Sequence, residues 1–189
     1  MLISLQREAS LKDFLSQSFE NSSNIFLTWG ITSIVFVTLL SVLISQYIPF
    51  IPNYIQDRSF FGFELNKFGF TFLSVSVFYL LKSVLTYFYF YAVRNQKKWQ
   101  KFYFIATRFY FLIAILLFVG CIQIYYFPQN RLETFQTYSF LFVLIFIFKN
   151  FFYLFHNSKI LPKNWYYKFL YICTLQIIPL LVLWKFLFD

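Results

Sequence analysis

Tyr166-Tyr167-Lys168-Phe169-Leu170-Tyr171-Ile172-Cys173-Thr174-Leu175-Gln176-Ile177-Ile178-Pro179-Leu180-Leu181-Val182-Leu183-Trp184-Lys185-Phe186-Leu187-Phe188 settles the class of fold. About 20 apolar residues rising 1.5 Å each match a hydrocarbon core of roughly 30 Å, so this run is long enough to cross a bilayer as one helix. Its middle holds Gln176 and Pro179. An amide side chain and a ring that breaks the backbone ladder both need polar neighbours, which lipid does not supply. The helix is therefore expected to face other protein along that side.

Working outward, four more apolar runs precede it, giving expected spans at about 25–48, 68–93, 102–127, 138–156 and 166–188. The composition agrees: 60% hydrophobic, 26% aromatic and 12% charged residues lie far from the soluble globular range. An AT-rich codon bias accounts for the many Phe and Tyr better than aromatic recognition does. The runs use most of the 189 residues and leave no length for a separate soluble catalytic domain. We read an all-α fold, a polytopic membrane bundle of five transmembrane helices over residues 25–189, preceded by a polar segment, residues 1–24. In that segment Ser10 and Asp13 resemble a capping box, and Leu11, Phe14, Leu15 and Phe19 recur at helical spacing, so a short amphipathic helix is expected. Its apolar face suits the membrane surface. The first span starts too far in, and is too long, for a signal-peptide core, and reads as a retained anchor.

The net charge of +9 does not point to nucleic acid, because the basic residues sit in short connectors beside apolar runs. That is the pattern of membrane orientation and contact with anionic headgroups. With the N-terminus inside, the inner segments hold Arg7, Lys12, Arg94, Lys97, Lys98, Lys101, Lys159, Lys163 and Lys168, and the outer ones Arg58, Lys67, Arg131 and Lys185. Nine against four favours a cytoplasmic N-terminus.

Three cations remain within spans: Lys82, Arg108 and Lys149, with no Asp or Glu inside any expected span. Each costs on the order of 2.5–3.5 kcal/mol at a helix centre by insertion scales. Arg108 and Lys149 are near enough to a helix end to snorkel, whereas Lys82 lies roughly 18 Å from the basic connector at the usual rise. Ser76, Tyr79, Lys82, Thr86 and Tyr89 follow one another at steps of three and four, making a polar stripe on the second span. Three readings stay open for Lys82: an amine hydrogen-bonded to Tyr79 or Gln176; an anion site for a lipid phosphate, lined also by Arg108, Lys149 and His156; or a partner for another subunit's carboxylate. Gln176 matches Lys82 in depth, and Pro179 leaves the Leu175 carbonyl without its usual amide donor. A contact between the second and fifth spans is expected on those grounds.

Signatures of catalysis are missing from the sequence: no intramembrane carboxylate pair, no H-E-x-x-H, no nucleophile elbow and no glycine-rich phosphate loop. No cofactor and no metal site is expected. His156 has no carboxylate or Cys at ligand spacing, and Cys121 and Cys173 read as small buried residues.

Lys168-Phe169-Leu170-Tyr171-Ile172-Cys173-Thr174-Leu175-Gln176-Ile177-Ile178-Pro179-Leu180-Leu181, followed by Trp184-Lys185, resembles the closing signature of a family of uncharacterised Bacteroidota inner-membrane proteins known only as a domain of unknown function. The similarity extends more loosely over the preceding spans, with a lysine at the position of Lys82. It implies compartment and architecture. The family pattern often has Glu where this chain has Gln176, so the polar contact is kept and the charge is lost. The expected function is that of a non-catalytic inner-membrane subunit or accessory factor of an envelope assembly, with the bilayer and protein subunits as partners. A transporter or carrier of an anionic lipid or small anionic solute is the alternative, and a lipid-modifying membrane enzyme a third.

Overall fold

A computed structural model describes residues 19, 25–48, 66–93, 96–127, 130–155 and 165–188. The apolar runs are helices: α1 (Ile25–Ser45), α2 (Lys67–Ala92), α3 (Gln96–Tyr126) and α4 (Arg131–Phe155). The last run is composite, with α5 (Trp165–Leu170), a π-helical segment (Tyr171–Ile177) and α6 (Ile178–Phe188). Counting the composite once, five helices are long and apolar enough to cross a membrane, and no strand occurs among the described residues. The amphipathic helix expected within residues 1–24 lies outside the described residues, apart from Phe19, whose ring meets that of Phe104 edge-on at 5.6 Å.

Local chemistry sets the helix ends. The Asn66 side chain accepts from the Gly69 amide at 2.8 Å and starts α2, while Lys67 Nζ donates to the Ile48 carbonyl just beyond α1, at 3.0 Å. Both α3 and α4 begin before their apolar runs, at Gln96 and Arg131 rather than near 102 and 138. Lysine and glutamine are good helix formers, and Glu133 in the first turn of α4 complements the helix dipole, so the backbone ladder continues past the apolar stretch.

The helices alternate in direction. Trp29 packs on Tyr103, Phe36 on Tyr110, and Gln46 Nε2 donates to Tyr125 Oη at 2.9 Å, so α1 and α3 run parallel. Against them α2 runs the other way, with Ser83 meeting Tyr103 and Phe90 meeting Phe102. The composite helix is antiparallel to α2: the Tyr89 hydroxyl donates to the Tyr167 carbonyl at 2.8 Å near one end, and Phe70 packs on Phe186 near the other. Along α3 in the opposite sense lies α4, with Tyr138 beside Gly120 and Tyr153 against Phe102.

This makes α3 the most enclosed helix and α4 the least, with 39% and 11% of their most apolar stretches buried. The hydroxyl residues Thr28, Thr32, Ser33, Ser41 and Ser45 of α1 are buried, where small side chains permit close approach and several bond back to their own helix, as Ser41 Oγ does to the Val37 carbonyl at 2.7 Å. Gly120 serves the same end on α3: a Cβ there would lie 2.9 Å from Tyr138 Cε1. One cluster, Phe36, Val37, Val75, Ile113, Ala114 and Leu117 among others, fills the middle of α1, α2 and α3. A second, with Phe90, Phe102, Ala106, Tyr153, Tyr171 and Leu175, lies toward the basic end, where α3 begins with Lys97 and Lys98.

Candidate functional site

Lys82 lies about 15 Å below the last turn of α2 at 1.5 Å per residue. Its ammonium donates to Gln176 Oε1 at 2.7 Å, which is the contact expected between the second and fifth spans. The bond goes to the side chain of Gln176 rather than to the Leu175 carbonyl. Gln176 is 1% exposed, and its Nε2 in turn donates to Tyr171 Oη at 2.9 Å. The amide thus uses its acceptor on the second span and its donor on its own helix.

That second bond depends on the π-helical segment. In an α-helix, residues five apart are turned about 140° from each other at roughly 100° per residue, so Tyr171 and Gln176 would face different ways. Widening the backbone to i→i+5 bonding, as seen where the Ile178 amide reaches the Cys173 carbonyl, brings them onto one side. Pro179 follows directly. It has no N–H to give a regular ladder, which explains why the irregular turn falls here.

The second buried lysine belongs to the same neighbourhood. Lys149 is 5% exposed on α4, donates to Tyr110 Oη at 3.1 Å and lies 4.6 Å from that ring's centroid and 5.6 Å from that of Tyr153. Tyr110 also lines the cavity that holds Lys82, so one tyrosine on α3 stands between the two cations. Among the described residues, what compensates them is a set of hydroxyl and amide dipoles and aromatic faces rather than carboxylates.

The cavity is small, about 30 Å³, and reaches from Lys82, Tyr110 and Gln176 to Ser83, Tyr103 and Trp29. That is room for about two water molecules. Tyr79 is on its wall, but the Tyr79 hydroxyl is paired with Ser33 Oγ of α1 at 2.8 Å and is not the partner of Lys82. Arg108 is placed apart: its guanidinium lies 4.1 Å over the Phe104 ring, one turn back toward the start of α3, and it does not line the cavity. Long side chains on a helix lean toward its N-terminus, which carries this one toward the basic end. His156 lies outside the described residues.

Tyr110 and Tyr171 escaped the reading of the sequence. Tyr103 and Tyr110 are seven apart, hence on one face of α3, and that spacing was an available signal. For Tyr171 none was, since α-helical spacing separates it from Gln176. Among the described residues no three His, Cys, Asp or Glu side chains are grouped closely enough to hold a metal ion.

Residues 3–187 match the family described as a domain of unknown function (DUF4271). The chain belongs to the DUF4271 family. No curated protein and no solved structure matches it. The DUF4271 match takes in Lys82, Tyr110, Lys149, Tyr171 and Gln176, so the whole buried polar network falls within the family domain.

Proposed function

We propose that this DUF4271 chain is a non-catalytic, multi-pass subunit or accessory factor of a larger assembly in a bacterial inner membrane. The observation that carries the reading is how the intramembrane cations are used. Lys82 is bonded to Gln176 and Lys149 to Tyr110, all within one chain, and the space left beside them is about 30 Å³. Room for about two waters favours a structural use of these lysines over an enclosed lipid or substrate site. The polar interior therefore serves to lock α2, α3, α4 and the composite helix together, and work on other molecules falls to the outer surface. On that surface the fourth span, 11% buried over its most apolar stretch, is the most open to a neighbour.

The compartment rests on the resemblance to inner-membrane proteins, and the orientation, N-terminus in the cytoplasm, on the nine-to-four excess of basic residues in the inner segments. Purification of the native protein in mild detergent is expected to yield a stoichiometric second polypeptide. A lone chain, recovered with full yield and no partner, overturns the proposal. A reporter fused after Asp189 is expected to be active only on the outer side of the membrane, and cytoplasmic activity reverses the orientation.

The second reading is a transporter or carrier of an anionic lipid or small anionic solute, favoured by Lys82 and the buried Lys149 with no carboxylate inside the expected spans. It predicts that Lys82→Met lowers the anionic lipid that co-purifies. Unchanged lipid content by mass spectrometry removes it.

A further inference from the structure

Phe104 is buried although it lies on the side of α3 that faces away from the core. It shares one face of the helix with Ile115 and Ile122, within about 20° at roughly 100° per residue. Those two are 37% and 39% exposed, whereas Phe104 is 9% exposed. The opposite side of α3 carries Phe102, Ala106, Ile113 and Leu117 into the two buried clusters. The outward face is therefore covered at the end where α3 begins and open beyond it. Charges and rings alternate in the cover: Arg108 lies 4.1 Å over the Phe104 ring, Phe19 meets that ring edge-on at 5.6 Å, and Lys101 Nζ lies 5.7 Å from the Phe19 centroid.

Phe19 belongs to the segment that precedes α1. From Phe19 to Ile25 the chain spans at most roughly 20 Å, at about 3.3–3.6 Å per residue. Trp29 packs on Tyr103, so the starts of α1 and α3 are neighbours and the preceding segment has the reach. Charge points the same way. The chain has seven acidic residues. By sequence, Asp57 and Glu64 fall in the connector from α1 to α2, Glu133 opens α4 and Asp189 follows α6, all at the other end of the bundle from the start of α3. Glu8, Asp13 and Glu20 are the carboxylates left for the end where α3 begins with Lys97, Lys98 and Lys101.

We propose that the face of α3 bearing Lys101, Phe104 and Arg108 is the docking site of this chain's own residues 11–20, an acidic amphipathic strap seated through Phe19. Leu11, Phe14, Leu15 and Phe19 recur at helical spacing and supply its apolar side, while Asp13 and Glu20, seven apart, share another. Cations beside aromatic faces are attracted by the ring quadrupole, so Lys101 and Arg108 favour a ring placed between them. Anionic headgroups compete for the same cations, yet a phosphate brings no apolar surface to Phe104, and the ring that meets Phe104 is the chain's own. The strap therefore belongs on the bundle rather than flat on the headgroups. It is independent of whether the chain works inside a larger assembly.

Two measurements test it, both on the full chain in nanodiscs of phosphatidylcholine, which carry no net headgroup charge. Amide hydrogen exchange in peptides covering residues 11–20 is expected to be about tenfold faster in Phe104→Ala than in the wild type, the scale of one lost aromatic contact, and unchanged in Ile115→Ala on the open part of the same face. Equal exchange in the wild type and Phe104→Ala overturns the docking site. With photoreactive benzoylphenylalanine in place of Phe19, and ¹⁵N-labelled and unlabelled chains mixed, mass spectrometry should find the segment joined to the peptide that carries Phe104 within one isotopic population. Products on lipid alone, or joining two chains, overturn the strap even if Phe104→Ala fails to fold. Lys101→Glu should lower the yield of that product, and adding Glu20→Lys should restore it; no recovery overturns the part assigned to charge.

Discussion

Gln176→Leu is the perturbation that discriminates most. It removes the acceptor 2.7 Å from Lys82 Nζ and the donor 2.9 Å from Tyr171 Oη, at a residue 1% exposed, and inserts an apolar side chain of similar size. Hydrogen bonds that include a charged group contribute about 1.5–3 kcal/mol net, and a buried group left without its partner adds a desolvation cost of about 1–3 kcal/mol. In membranes the measured average between helices is lower, about 0.6 kcal/mol with a maximum near 1.7, because polar groups find other partners before the bundle closes. The asymmetry between partners is more informative than either figure. Lys82→Met leaves only a neutral amide oxygen unpaired, whereas Gln176→Leu takes from an ammonium its 2.7 Å acceptor.

The expected order of loss is therefore Gln176→Leu, then Lys82→Met, with the double variant close to Lys82→Met or better, since apolar groups replacing both members are nearly neutral. Unfolding in mixed micelles of increasing denaturing detergent, followed by circular dichroism, measures all four corners of this cycle. A coupling of about 1.5–3 kcal/mol corresponds to a charged lysine, and one near 0.6 kcal/mol to a neutral amine. If the two single losses simply add, with no coupling, the bond between α2 and the composite helix does not hold the bundle and the reasoning fails.

Tyr110→Phe keeps the ring under Lys149 and deletes the hydroxyl that accepts from it at 3.1 Å, so a loss of about 1–3 kcal/mol is expected by the same unfolding assay, largely reversed by adding Lys149→Met. Gly120→Ala puts a methyl 2.9 Å from Tyr138 Cε1 and is expected to cost about 1–3 kcal/mol, displacing a ring whose hydroxyl donates to Gln123 Oε1. Gly30→Ala meets nothing within 4 Å and should be neutral or stabilising by about 0.5–1 kcal/mol, which controls for backbone effects. Ser33→Ala breaks the 2.8 Å bond to Tyr79 and is expected to cost about 0.6 kcal/mol, a small shift in the same unfolding curve.

The helices were legible because the bilayer imposes one length and one polarity on every span, and five runs meet both. Their ends were not: helix continues through Gln96–Lys101 and Arg131–Gln136, where propensity and capping, which hydropathy ignores, keep the ladder going. Lys82 and Gln176 could be paired from sequence because a deep polar group has few candidates at its own depth. Arg108 could not be assigned that way, since a long side chain near a helix end has both the interior and the headgroups within reach, and here it lies back along its own helix over Phe104. Tyr110 was hidden among fifteen tyrosines of similar surroundings. Its role comes from the position of α4, which carries Lys149 to it; the seven-residue spacing from Tyr103 marks only the face of α3 on which it lies.

The closing run began as a helix with two irregular residues, and those two turn out to act together. Pro179 cannot donate to a regular ladder, and the backbone widens into a π-helical turn over the seven residues before Ile178. A widened turn changes the rotation between everything before and after it, which brings Tyr171 beneath Gln176 and fixes the amide from its nitrogen side. With nitrogen held by Tyr171, the oxygen points across the interface to α2, where Lys82 receives it. Replacing Gln176 by Glu would keep the geometry and put a carboxylate there, tying the amine down as an ammonium by an ion pair in a medium of low dielectric. A neutral acceptor holds Nζ in place and adds no charge to the interface between α2 and the composite helix.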